Sequence, residues 1–423
     1  MTRSFVGAVA VAILSTPISA ETYRSAEYGY LFQTSEESVQ LWDESASFCV
    51  LNMEVPRAPD QMFEVMGLRF AEEGDEAKLW IDGMLRPIRG TRIETLPSTC
   101  LDKGYSPSEI VALVGETFAE RYPFFHLYDV DWSTRVADVQ SALPEGASEE
   151  DLREALMALV SGLEDGHIEV SFGEDSFSPE VLPVWAEAAQ DIGLITHSYV
   201  DDLTRVDGVQ MIYGRIGDVG YMRIWSMGAD AEFDENATDV AQKKIQSALM
   251  DLGEVSALIL DARLNSGGFD AIGLAYASAF NDVKRPAFSR VFHTPDGQGP
   301  AQRFEVPTAE ATFTRPVYVM TGPMAFSAAE TFVLAMAQIP HVTLVGDPTA
   351  GDLSDKLLKA MPNGWRFALS HQIYRAPDGA EYENLGIPVD WVVPFDLDGF
   401  QSERDMQLEA VLNRLGQPVP NRD

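Results

Sequence analysis

Ser327 is a candidate nucleophile. It lies in the stretch "GPMAFSAAETF", residues 322–332, between a Gly-Pro turn and a predicted helix. The spacing of Ser327 and Glu330 is typical of a capping box, in which the serine side chain accepts a hydrogen bond from a backbone amide. A serine at a helix start also has unpaired backbone amides beside it, which can bind an anionic group. This stretch alone leaves both roles, helix cap and nucleophile, open.

Gly267 and Gly268, in "DARLNSGG", follow a predicted buried strand and precede a predicted helix. Ligands of parallel-sheet proteins bind outside the carboxyl ends of the strands, so this turn and the Ser327 turn are predicted to meet at one crevice. The amides of Gly267, Gly268 and Ala328 would then form an oxyanion hole for acyl transfer. A plain tight turn is the alternative explanation for the two glycines.

A serine nucleophile needs a base, and histidine suits this role because its pKa lies near neutrality. The chain has six histidines: His126, His167, His197, His293, His341 and His371. His167 lies in "LEDGHIEVSF", directly after an Asp-Gly turn that separates a predicted helix from a predicted strand. We therefore predict His167 as the base, on its position alone. His126 and His371 lie in apolar or strand-like runs and are predicted to be structural.

The elements that would position these residues follow from the hydrophobic pattern. From about residue 212, strands alternate with helices, which predicts an α/β core with a parallel sheet covered by helices. Two helices are predicted upstream, one opened by the capping box of Ser106 and Glu109 and one over "SEEDLREALMALVSGL". Turns at 362–364 and 377–379 predict hairpins at the end of the core.

The first twenty residues combine a basic start, a short apolar run and small residues before Glu21, which is typical of a signal peptide. The mature protein is therefore predicted to be secreted or periplasmic, with an uncleaved N-terminal anchor as the alternative. No later stretch is long and apolar enough to span a membrane. The predicted units are a signal peptide at 1–20, a β-rich N-terminal unit at 21–103, a helical subdomain carrying the histidine turn at 104–211, an α/β core at 212–396 and a C-terminal tail or helix at 397–423.

The β-rich N-terminal unit contains both cysteines of the chain, Cys49 and Cys100. An even count in an exported protein predicts a disulfide, and two buried free thiols are the alternative. Zinc is not predicted, because no second cysteine or histidine lies at ligand spacing near either residue. Within this unit, turns are predicted at Asp82–Gly83 and at Arg89–Gly90.

The formal net charge of −36 is spread along the 423 residues. Such a surface repels nucleic acid and anionic lipid, so neither is predicted as a partner. No phosphate loop and no dinucleotide fingerprint occurs, and no metal or other cofactor is predicted. The sequence does not indicate an oligomeric state.

Five segments of the chain resemble, in order, the C-terminal processing peptidase and tricorn core peptidase family. They are "ALILDARLNSGG", "FSAAETF", "LVGDPTAG", "MPNGWRFALS" and "DGAEYENLGIPVDWVV", within a similarity over about 106–396. The resemblance implies a core like that of crotonase and Clp protease, and a serine-type peptidase acting on a peptide or protein substrate. Members that trim C-termini carry a PDZ domain. The segment between Phe172 and Tyr213 is too short for one, so recognition of a free C-terminus is not predicted.

The same resemblance separates two catalytic types. In the Ser-Lys type a lysine follows the glycine of the "GxxTxG" segment, but here Asp352 stands at that position. Lys356 and Lys359 are displaced and are interpreted as surface charges. In the tricorn-like type a histidine in an Asp-Gly-His turn is the base and a glutamate supports the site. His167 matches the histidine and Glu383 the glutamate, with Glu381 as a less favoured neighbour and a plain strand-edge charge as the alternative for Glu383.

The sequence thus predicts an exported serine peptidase that forms an acyl-enzyme on Ser327, with His167 as general base and Glu383 in support. Two alternatives stay open. One is a non-catalytic module of the same fold that binds a ligand or a peptide. The other is a Ser-Lys peptidase.

Overall fold

The computed structural model of the protein describes residues 20–56, 62–63, 68–81, 83–100, 104–231 and 236–419. Apart from Ala20, the predicted signal peptide lies outside these residues. Within the described ranges, no helix has the length and apolar character needed to cross a membrane.

The described residues of the N-terminal region form an antiparallel sheet of eight strands. They are β1 (Glu21–Ser25), β2 (Tyr30–Thr34), β3 (Ser38–Glu44), β4 (Cys49–Pro56), β5 (Met62–Phe63), β6 (Leu68–Glu73), β7 (Glu76–Ile81) and β8 (Ile88–Ile93). The spatial order is β4-β3-β2-β1-β8-β7-β6-β5. β3 alternates buried and half-buried residues, as expected of a strand with one face on the core. The predicted disulfide between Cys49 and Cys100 is present and ties β4 to the segment after β8.

One predicted turn is wrong. Arg89 and Gly90 lie inside β8 and not between two strands. A Cβ at Gly90 would come within 3.0 Å of the Tyr23 Cβ and 3.1 Å of the Phe32 ring. The glycine therefore marks close packing of two aromatic side chains over a strand, a use of glycine that resembles a turn signal in sequence.

The two predicted upstream helices are present. The described elements of this part are α1 (Pro107–Arg121), α2 (Trp132–Ala142), α3 (Glu149–Val160), β9 (Glu169–Phe172), β10 (Asp175–Phe177) and α4 (Ala189–His197). The Ser106 and Glu109 capping box is confirmed: the Glu109 carboxylate accepts the Ser106 amide at 2.8 Å, and the Ser106 hydroxyl oxygen accepts the Glu109 amide at 3.3 Å. The buried face of α3 leads directly into the turn that carries His167.

The predicted alternation of strands and helices follows, and it builds the core. Its elements are β11 (Asp201–Val206), β12 (Val209–Ile216), β13 (Val219–Ala229), α5 (Ala237–Leu252), β14 (Leu258–Asp261), α6 (Asp270–Ser278), β15 (Arg285–Thr294), β16 (Gly297–Gln298), β17 (Gln302–Val306), β18 (Val317–Thr321), α7 (Ala328–Met336) and β19 (Val342–Gly346). The chain then forms β20 (Lys356–Ala360), β21 (Arg366–Ser370), β22 (Gln372–Arg375), β23 (Trp391–Val392), α8 (Leu397–Gln401) and α9 (Met406–Arg414).

The central sheet has seven strands in the order β11-β12-β13-β14-β18-β19-β23. From β13 to β23 the neighbouring strands are parallel, as predicted. The fully buried strand β14 and the helices α6 and α7 share one large apolar cluster. Consequently the turns after β14 and β18 both open at the carboxyl edge of the sheet, where a ligand is expected.

A buried lysine joins the N-terminal sheet to the rest of the protein. Lys359 was predicted to be a surface charge, which is wrong, since its side chain is only 2% exposed. Its Nζ donates to the carbonyls of Tyr28 and Gly29 at 2.8 and 2.9 Å and forms an ion pair with Asp43 at 3.2 Å. Burial lowers the pKa of Lys359 to about 8, against the opposing effect of Asp43. Lys359 lies in β20, so these bonds fix the turn between β1 and β2 of the N-terminal sheet to that strand.

We expect Asp43→Ala to lower the free energy of unfolding by about 3–5 kcal/mol, because it leaves the Lys359 ammonium buried without its counterion. Urea unfolding followed by circular dichroism measures this loss. Adding Lys359→Met to Asp43→Ala should restore part of it, since the uncompensated charge is then removed. Glu73→Ala, which breaks the exposed ion pair with Lys78, is the control and should have no measurable effect. If Asp43→Ala and Glu73→Ala lowered the free energy of unfolding equally, this account of Lys359 would be contradicted.

Candidate active site

Ser327 occupies a sharp turn between β18 and α7. Its backbone has φ 59° and ψ −130°, a conformation that costs a non-glycine residue roughly 1–3 kcal/mol. The predicted capping box is wrong: the Ser327 side chain caps no backbone amide. The Glu330 carboxylate turns away and accepts the Thr349 hydroxyl at 2.6 Å and the Gly351 and Asp352 amides at 2.8 and 2.7 Å. The half-buried Ser327 hydroxyl therefore makes no capping hydrogen bond that would compete with a role as nucleophile.

Gly267 lies directly against the serine turn. A Cβ at this position would come within 2.7 Å of the Ser327 Cβ and 3.1 Å of the Ala328 nitrogen, so only glycine fits. The Gly267 amide already donates to Asn265 Oδ1 at 2.9 Å. In contrast, the amides of Gly268 and Ala328 have no acceptor among the described residues. Of the three predicted oxyanion donors, these two have amides available to a ligand.

A buried carboxylate holds the histidine turn in place. Asp165 accepts the His167 amide at 2.8 Å, the Ser370 hydroxyl at 3.0 Å and the Tyr122 hydroxyl at 3.0 Å. Burial, with the nearby charge of Asp352, raises the pKa of Asp165 to about 7. The sequence showed Asp165 only as part of a turn. The His167 amide is local, but Tyr122 and Ser370 come from distant parts of the chain, so the sequence contained no signal for the buried anchoring of Asp165.

The His167 ring is buried, with 7% of the residue exposed. Its Nδ1 has no hydrogen-bond partner within the described ranges. Burial, together with the positive charge of Lys356, lowers the pKa of His167 to about 4. The imidazole is therefore neutral at pH 7, which is the form that can accept a proton.

Asp352 contacts both turns at once. Its carbonyl oxygen accepts the Ser327 amide at 2.9 Å, and its Oδ1 accepts the Gly166 amide, next to His167, at 3.1 Å. Burial raises the pKa of the Asp352 carboxyl group. The structure thus brings the predicted nucleophile and the predicted base to the two sides of one residue, at the position where the Ser-Lys type has its lysine.

Glu383 reaches the same segment. Its Oε2 accepts the amides of Leu353 and Ser354 at 3.2 and 3.1 Å, while Oε1 is buried without a partner in the described part of the chain. Burial raises the pKa of Glu383 well above its usual range, and the charge of Asp165 acts in the same direction. The less favoured neighbour Glu381 instead pairs with Arg375 near the surface. Glu383 is therefore a buried group of the site and not a strand-edge charge.

The other candidate bases are engaged elsewhere. Lys356 is exposed, as predicted, and forms an ion pair with Glu169. His371 is buried, and its Nδ1 lies 3.1 Å from the Asp355 carbonyl oxygen, which fits the predicted structural role. His126 is exposed on a short turn. Among the described residues, no group of histidine, cysteine or acidic side chains is arranged to hold a metal ion.

The buried acids make stability depend on pH. Burial raises the pKa of Asp165 to about 7 and that of Glu330 to about 8, so near neutrality the folded chain binds more protons than the unfolded chain. The free energy of unfolding should therefore fall as the pH rises from about 6.5 to about 8. The buried histidines His167 and His371 act in the opposite direction, mainly below about pH 6.5, because burial lowers their pKa values from the ordinary 6.5 to about 4 and about 3.

Urea unfolding at a series of pH values measures this slope. Asp165→Asn should flatten it, and Asp138→Asn, on the exposed face of α2, should leave it unchanged. A stability that rises with pH between 6.5 and 8 would contradict the raised pKa values.

Part of the chain is similar to known peptidases. Residues 218–393 match the family model described as "Peptidase family S41". A carboxyl-terminal-processing protease of Synechocystis sp. is 30% identical over 202 residues, which are 47% of this chain and 44% of that protein. A protein of the same description from Picosynechococcus sp. is 28% identical over 202 residues, 47% of this chain and 45% of that one. The chain therefore spans less than half the length of these curated relatives.

Solved structures extend the similarity of the fold beyond the matched domain. A putative peptidase from Parabacteroides merdae superposes with a TM-score of 0.64 at 22% identity, covering 74% of this chain and 97% of that one. Mature CPAF gives a TM-score of 0.53 at 13% identity, covering 73% and 96%. At these identities the similarity concerns the fold alone. The predicted α/β peptidase fold with a β-rich N-terminal region is confirmed.

Proposed function

We propose, from the match of residues 218–393 to peptidase family S41 and from the geometry of the site, that the protein is an exported serine-type peptidase with Ser327 as nucleophile and His167 as general base. One observation carries the proposal: Asp352 accepts the Ser327 amide through its carbonyl and the Gly166 amide through its carboxylate. The strained backbone of Ser327 supports it, because such strain is typical of catalytic turns.

The proposed reaction is acyl transfer. His167 takes the hydroxyl proton of Ser327 as the serine oxygen bonds to the carbonyl carbon of a peptide, and the Gly268 and Ala328 amides stabilise the oxyanion. The histidine then gives this proton to the leaving amine as the peptide bond breaks. Water attacks the acyl-enzyme in the same way, with His167 taking its proton and returning it to Ser327.

Glu383 is proposed to support the site from the far side of the 353–354 segment. Its Oε2 holds the amides of Leu353 and Ser354, which continue the chain from Asp352. The free Oε1 is available to orient the histidine, directly or through an intervening hydroxyl. Gly267 contributes its small size, which lets the turn lie against Ser327.

Two observations favour the histidine over a lysine. Lys356 is engaged by Glu169, and Lys359 is buried against Tyr28, Gly29 and Asp43. A module that only binds a ligand does not require a strained serine beside two unpaired amides. The geometry therefore favours the Ser-His reading over both alternatives.

A fluorophosphonate probe should label the wild-type protein and not Ser327→Ala. His167→Ala should slow labelling about 10²–10⁴-fold, the usual loss when a general base is removed. Lys356→Ala is the matched control and should label at a rate similar to the wild type. Equal labelling of Ser327→Ala would overturn the nucleophile. Loss of labelling in Lys356→Ala, with labelling kept in His167→Ala, would favour the Ser-Lys type.

The pH profile of labelling reports the base. Because burial lowers the pKa of His167 to about 4, the neutral base should persist in mildly acidic solution, and the labelling rate should halve near pH 4. Lys356→Ala should move this midpoint upward, since the lysine charge disfavours the imidazolium. Circular dichroism at each pH confirms that the chain stays folded. A midpoint near 6.5, the ordinary pKa of histidine, would show that the ring is not buried as described.

Export is proposed from the signal-like first twenty residues and from the disulfide of Cys49 and Cys100. Expression of the full chain in a bacterium with a periplasm, followed by N-terminal sequencing, tests it. A mature start at or near Glu21 in the periplasmic fraction is the expected result. An intact Met1 in a reduced cytoplasmic protein would contradict it.

A further inference from the structure

Ser327 lines a cavity of about 240 Å³ that lies between the peptidase core and the N-terminal sheet. The core side includes Gly268, whose amide is a proposed oxyanion donor. The opposite side is formed by Tyr28, Ile81, Gly83, Met84 and Leu85, which we call the N-terminal wall. A cavity beside a nucleophile is the default binding site for part of a substrate, and this volume is of the size of a single large side chain.

Contacts with the rest of the protein hold the N-terminal wall in place. Lys359 binds the Tyr28 and Gly29 carbonyls, and the Tyr28 ring packs on His371 with ring centroids 5.3 Å apart. Leu85 packs against the central apolar cluster of the core. The wall is therefore held by contacts on both of its flanks.

Gly83 shows how closely the wall meets the site. With φ at +87°, a Cβ on Gly83 would come within 2.5 Å of the Phe269 ring. Phe269 directly follows Gly268 and is itself 40% exposed. The wall thus touches the residue next to a proposed oxyanion donor, and Phe269 extends the apolar surface of the wall toward the serine.

The charged groups on the floor of the cavity are already paired. Arg290 forms ion pairs with Asp355 at 3.0 Å and with Asp270 at 4.0 Å, and Asp270 also accepts the hydroxyls of Thr331 and Tyr374 at 2.7 and 2.8 Å. Lys356, at the edge, is paired with Glu169. A charged substrate side chain would therefore lose its hydration without gaining a free counterion, whereas an apolar one would gain contact with the wall.

We propose that the N-terminal wall and Phe269 form a specificity pocket for a large apolar side chain of the peptide, at the residue whose carbonyl Ser327 attacks. This rests on the proposed function and names its substrate class. The N-terminal sheet thereby takes part in substrate recognition, a role for which its sequence gave no indication.

Acetyl-Ala-Xaa diphenyl phosphonates, with Xaa as Phe, Leu, Ala, Lys or Asp, test the pocket. The labelling rate of each compound is divided by the fluorophosphonate rate of the same variant, which removes differences in serine reactivity. In the wild type the Phe and Leu compounds should exceed the Lys and Asp compounds by about tenfold or more. Met84→Asp should reduce this ratio about tenfold, with Met84→Ala as a milder variant that preserves folding.

Leu51→Asp is the matched control, because Leu51 is an exposed residue on β4 of the same sheet, outside the cavity. It should leave the preference unchanged. Equal normalised rates for all five compounds in the wild type, or an unchanged preference in both Met84 variants, would overturn the pocket. Absence of fluorophosphonate labelling would instead refute the proposed function. Calorimetric binding of acetyl-Ala-Phe-amide and acetyl-Ala-Lys-amide to Ser327→Ala then tests the pocket without the nucleophile, and equal affinities would overturn it.

Discussion

The geometry of the site depends on one buried carboxylate, Glu330. It lies in the first turn of α7, immediately after the serine turn, and it accepts hydrogen bonds from Thr349 and from the amides of Gly351 and Asp352. These bonds fix the segment that contacts the serine turn on one side and the histidine turn on the other. Burial makes the ionised form of Glu330 costly and raises its pKa to about 8, and the three donors offset part of that cost.

Burial also sets the charges of the site. Asp165, Glu330, Asp352 and Glu383 interact with one another in a volume with little water, and burial raises the pKa of each. The same environment lowers the pKa of His167. The site therefore keeps its imidazole neutral while some of its acids hold protons. Charge at the centre is kept low by desolvation, even though the chain as a whole is strongly acidic.

Elements with a local signal could be predicted, and contacts between distant segments could not. Ser106 and Glu109 form a capping box whose partners are three residues apart, so the sequence contained the whole interaction. Ser327 and Glu330 have the same spacing, but the Glu330 carboxyl group binds the loop that follows β19. No residue near Ser327 in the sequence indicates this contact. Lys359 and Gly90 were misread for a related reason: a buried counterion and an aromatic ring packed over a strand both come from elsewhere in the fold. The placement of Asp352 between two turns likewise depends on tertiary structure alone.

The disulfide of Cys49 and Cys100 has a further consequence for how the protein is used. It closes the same sheet that supplies one side of the proposed pocket, and it forms only where thiols are oxidised. If export and the pocket both hold, a newly made chain in the reducing cytoplasm lacks this covalent support for its recognition surface. Full competence toward substrates would then arise after the chain has left the compartment where it was synthesised. The disulfide would thus limit cleavage of cytoplasmic proteins by a newly made chain.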